Sequence, residues 1–114
     1  MRAHKTNIRD GLPTPGAFSP HDGSTSVDWQ KYSTATATRK RTTNPPENYA
    51  VVTVNVGDVR AIENWLDVKH EPLDDNQAHS GINVPEEDGP EKTRIRLELS
   101  RIADVVITLE SPVD

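Results

Sequence analysis

Two histidines and an asparagine are the first residues whose types and spacing could do chemistry. His70, Asn76 and His79 bracket the carboxylates Asp74 and Asp75. Two imidazoles near one turn could shuttle protons on a phosphodiester, one as acid and one as base. With a carboxylate they could also ligate Zn²⁺ or Fe²⁺. The spacing matches no metal motif, so no metal and no cofactor is expected. The bland alternative is that both imidazoles hydrogen-bond loop backbone and hold the turn. Whether they share a face depends on strand alternation.

Arg60, just after Gly57-Asp58, is a candidate phosphate or anion contact. Its bland alternative is an ion pair with Asp58 or Asp67. Arg39, Lys40 and Arg41 form a basic cluster that could touch nucleic-acid phosphate. They would equally suit the C-terminal end of a helix. Phe18, Trp29, Tyr32 and Trp65 are candidate partner-binding residues, because aromatic side chains anchor protein interfaces. Trp29 and Tyr32 could instead pin the N-terminal segment to the core. The hydroxyls of residues 24–26 beside His21 and Asp28 do not make a local Ser/His/Asp triad, whose members come from separate elements.

The elements that must position these residues follow from pattern. Residues 1–23 are rich in proline and glycine and read as an extended or disordered arm, so their deletion is expected to leave the core folded. Residues 24–29 suggest a short strand. Ser33 could cap a helix over 35–41. Tyr49 to Val56 is β-branched and reads as the best strand, with Val52, Val54 and Val56 on one face. Asp58 could cap a short helix over 59–65. Residues 66–70 and 78–84 read as a hairpin. Residues 91–103 combine strong helix formers with an Ile95, Leu99, Ile102 stripe, which predicts a helix. Residues 105–109 read as a final strand. The expected fold is α+β: a small sheet of three or four strands, one C-terminal helix, a short N-terminal helix and the arm. The expected division is 1–23 arm, 24–110 domain and 111–114 tail.

Composition narrows the function classes. The 114 residues carry a net charge of -5, with 32% hydrophobic and 4% aromatic side chains and no cysteine. Disulfides, thiolate zinc sites and cysteine nucleophiles are excluded. Net acidity argues against general nucleic-acid binding. No apolar run is long enough for a membrane span, and none follows the basic first residues as in a signal peptide. A cytoplasmic protein is expected.

Three blocks together carry a resemblance: Phe18-Ser19-Pro20 with residues 23–34 and Arg39; residues 51–62; and residues 68–72 with 76–82. In that order they are similar to a group of small bacterial proteins with no established activity, over about residues 18–106. The resemblance implies a compact bacterial domain and transfers no catalytic residue. Its context is operons with larger partners, including defence and toxin–antitoxin systems.

The expected function is therefore a small protein-binding module, more a binding protein than an enzyme. A protein partner is expected, and a homodimer would protect the edges of so small a sheet. The alternatives are a histidine-dependent enzyme acting on a phosphodiester or nucleotide, and a nucleic-acid-binding, antitoxin-like protein.

Overall fold

A computed structural model describes residues 1–113. The chain is mixed α+β, with three small antiparallel sheets in place of the single sheet expected. Strands β1 (Arg2–His4), β2 (Ile8–Arg9), β3 (Leu12–Pro13) and β4 (Thr25–Asp28) precede helix α1 (Ala35–Lys40). Strand β5 (Tyr49–Thr53), helix α2 (Val56–Ile62), strands β6 (Val68–His70) and β7 (His79–Ile82), helix α3 (Pro90–Ile102) and strand β8 (Asp104–Ile107) follow. The first sheet has the order β1-β5-β8, the second β4-β7-β6, and β2-β3 form a small ribbon.

Residues 1–23 are not a separate arm. Strand β1 pairs with β5, Ala3 opposite Ala50, and Ala3 and Phe18 are buried in the core. Two Asp-Gly steps explain how so polar a segment folds back on itself. Asp10 and Gly11 both have positive φ, as do Asp22 and Gly23. Such a pair of left-handed residues matches the twist of a two-residue hairpin. The first joins β2 to β3, and the second lies between the bridged residues His21 and Ser24. Phe18 is further held in place by its carbonyl, which accepts from the buried Thr25 hydroxyl at 2.7 Å.

The helices start where side-chain oxygens cap them. Thr34, rather than Ser33, caps α1 by accepting from the Ala37 amide at 3.1 Å. Asn55, rather than Asp58, caps α2 by accepting from the Asp58 amide. Val56 therefore belongs to α2 and not to the strand. Helix α3 opens on Pro90, whose fixed φ suits a first helical turn, and buries Ile95 and Leu99. It packs against the turn at residues 15–18 and against α2. The shared core joins Phe18, Val52, Val59, Leu66, Ile82 and Val84 to these helix residues.

The C-terminal segment is also tied down. Arg39, buried in α1, donates to the carbonyls of Tyr49, Thr108, Leu109, Ser111 and Pro112. The expected tail thus joins the fold as far as Pro112, while Asp114 lies outside the described residues. Among the described residues, no helix is long and apolar enough to cross a membrane.

Candidate functional site

A cavity of about 520 Å³ opens between β5 and the second sheet. Its walls carry Val27, Val52, Val54, Val56 and Val68, and Arg60 reaches it from α2. One cross-strand row faces it: Val27 of β4 pairs with Ser80 of β7, which pairs with His70 of β6. A valine-lined cleft with a few polar groups has the size and character of a ligand or peptide site.

Trp29 and His70 line one side of this cavity. Trp29 follows β4 and is 42% exposed; Tyr32, in the next turn, stands beside it and is 39% exposed. Their rings meet edge to face, 5.2 Å apart at 89°. The His70 ring stacks on Tyr32 at 5.5 Å and 17°, and meets Trp29 edge-on at 5.0 Å. Its Nε2–H donates to the Gln77 carbonyl at 2.7 Å, since a carbonyl can only accept. That bond holds the ring against the other two.

His79 is elsewhere. Ser80 shares its face with His70, so His79, one position earlier, stands on the opposite face of the sheet. Its Nδ1–H donates to the Glu71 carbonyl at 2.9 Å, and Nε2 lies 3.4 Å from the Ser26 hydroxyl. The two imidazoles therefore do not converge on one substrate atom. Each holds loop backbone. Asn76 is likewise engaged: its Nδ2 donates to Asp28 at 2.8 Å and its Oδ1 accepts from the Ala78 amide.

Asp28, paired with His79 across β4 and β7, is a polar hub on the face opposite His70. Its carboxylate accepts from Asn76, from the Thr38 hydroxyl at 2.7 Å and from Arg41 at 2.6 Å. Burial pushes this carboxyl up, but the bonds from Asn76 and Thr38 and the charge of Arg41 outweigh it, and the group titrates below its ordinary range. Nothing in the sequence pointed to this hub, because Asp28, Thr38, Arg41 and Asn76 come from three distant segments. Met1 also borders the cavity, and its α-ammonium donates to the Val52 carbonyl at 2.7 Å. Desolvation lowers it to about 6.

The remaining candidates separate in the same way. Arg60 donates through Nε to Asp67 at 2.7 Å, both side chains more than half exposed. That pair holds Asp67 below the ordinary carboxylate range through the Arg60 hydrogen bond. The basic cluster is dispersed: Arg39 is buried on carbonyls, Arg41 is spent on Asp28, and only Lys40 is exposed. Phe18, at 0% exposure, cannot meet a partner. Trp65 is 39% exposed but makes no ring contact with the Trp29 cluster among the described residues. Nor does any group of three His, Cys, Asp or Glu among those residues have an arrangement that could hold a metal ion.

No protein family, curated protein or solved structure matches the chain.

Proposed function

We propose that the protein is a binding module that receives a segment of a partner protein at the ring cluster of Trp29, Tyr32 and His70, beside the cavity that Trp29 and His70 line. The observation that carries this reading is the cluster itself. Two large aromatic side chains remain about 40% exposed, and a third ring, held by a backbone hydrogen bond, packs against both. Exposed aromatic groups of this kind cost little conformational entropy on binding and dominate protein interfaces. The valine-lined cavity beside them would accept one apolar side chain. The net charge of -5 favours a cationic segment over an acidic one.

The test is capture from native cells with the tagged protein and with a Trp29→Ser, Tyr32→Ser double variant, followed by mass spectrometry. One stoichiometric protein held by the first and lost by the second supports the reading, provided both unfold at similar temperature. Retention of nucleic acid alone, of no protein, or of the same protein by both forms overturns it.

A further inference from the structure

We infer that Trp29 and Tyr32 form a two-walled clamp for a soft organic cation, which Lys31 occupies in the free protein. The two rings stand at 89° to one another, and the Lys31 ammonium lies 5.3 Å from the centroid of each. A cation within about 6 Å of an aromatic face is drawn to the negative centre of the ring. Here one charge satisfies two such faces at once. Among the described residues Lys31 forms no ion pair, so the rings are its counterpart. His70 braces both walls by stacking on Tyr32 and meeting Trp29 edge-on.

Lys31 is a weak occupant. Its primary ammonium is strongly hydrated, sits on a flexible stem and is exposed. A guanidinium or a methylated ammonium holds its water less tightly and loses less on entering the clamp. Such a group, carried on a side chain of the partner, would displace Lys31 rather than add to it. The clamp deepens the proposed docking function and rests on it for its use, but it can be tested alone.

The experiment uses the full chain with Trp65→Phe, which leaves Trp29 as the fluorescent reporter because the chain has two tryptophans. Tetramethylammonium, methylguanidinium and the neutral isostere 2,2-dimethylpropanol are titrated into this protein and into its Lys31→Ala and Tyr32→Leu derivatives. Saturable quenching by at least one cation is expected, about two- to five-fold tighter in Lys31→Ala and weakened in Tyr32→Leu. Which cation saturates identifies the source chemistry. Absence of saturation by both cations in Lys31→Ala, equal affinity with and without Lys31, or equal response to the neutral isostere overturns the clamp. A clamp that binds cations in a protein that captures no partner would sink the docking reading alone. Capture that depends on both rings without cation binding would sink the clamp alone.

Discussion

His70 and His79 stand on opposite faces of one hairpin, His70 against the rings of Trp29 and Tyr32 and His79 beside Ser26. Each donates to a carbonyl of the loop between them or beside it, Gln77 for one and Glu71 for the other. Two residues that invite pairing in sequence are thus separated by the two-residue period of a strand.

Their removal should have separable effects. With Trp65→Phe as background, His70→Ala is expected to shift the Trp29 emission and His79→Ala to leave it unchanged. Each should cost about 1 kcal/mol of stability, the ordinary worth of a single hydrogen bond. Fluorescence spectra and urea unfolding of the same samples check both points.

Acid should unfold the protein partly through Asp28. Its pKa is lower in the folded chain than the ordinary 3.8, so the unfolded chain takes up the proton more readily. The stability it contributes is present above the ordinary value and is lost as the pH falls through the folded one. Asp28→Asn removes that acid-limb contribution and leaves Arg41 without its carboxylate. A loss of about 2 kcal/mol at neutral pH is expected, with a flatter decline below pH 4. Unfolding free energies measured from pH 7 down to pH 2 would show it.

Phe18→Ala should cost about 3–5 kcal/mol, the usual penalty for emptying a buried aromatic site. Deletion of residues 1–23 removes that side chain together with β1, and should abolish cooperative unfolding altogether. Calorimetry of both forms distinguishes this outcome from the detachable arm that composition suggests. A truncated chain with an intact unfolding transition would contradict the packing described.

Arg39→Lys should weaken the hold on the C-terminal segment. A lysine keeps the charge but loses the planar fork that reaches several carbonyls at once. A loss of about 2 kcal/mol is expected, with faster amide exchange around residues 108–112. Salt should barely change the difference, because the acceptors are neutral carbonyls.

Much of the fold was legible, and the failures have identifiable causes. The valine run after Tyr49, the helix after Pro90 and the hairpin around Asn76 all stand close to where their patterns put them. The α2 boundary moved because Asn55 competes with Asp58 for the cap and wins. Residues 1–23 pack where composition suggests an arm because proline and glycine counts mask two specific Asp-Gly turns, which are themselves hairpin signals. The ring cluster was half legible: Trp29 and Tyr32 stood out by type, but the part played by His70 required the tertiary fold. Arg39 looked like a surface cation because three adjacent basic residues carry no mark of which one turns inward.

The order of the first sheet, β1-β5-β8, has a kinetic consequence. Its central strand must recruit one neighbour from far upstream and the other from far downstream, with His4 meeting Tyr49 and Thr53 meeting Asp104. Closing each span costs roughly 3–4 kcal/mol of chain entropy before any contact rewards it. The sheet therefore cannot assemble as a local hairpin, and synthesis must pass β8 before it can close. Folding should be slow for so short a chain. During that interval the exposed edges of β5 would be the segment most in need of protection.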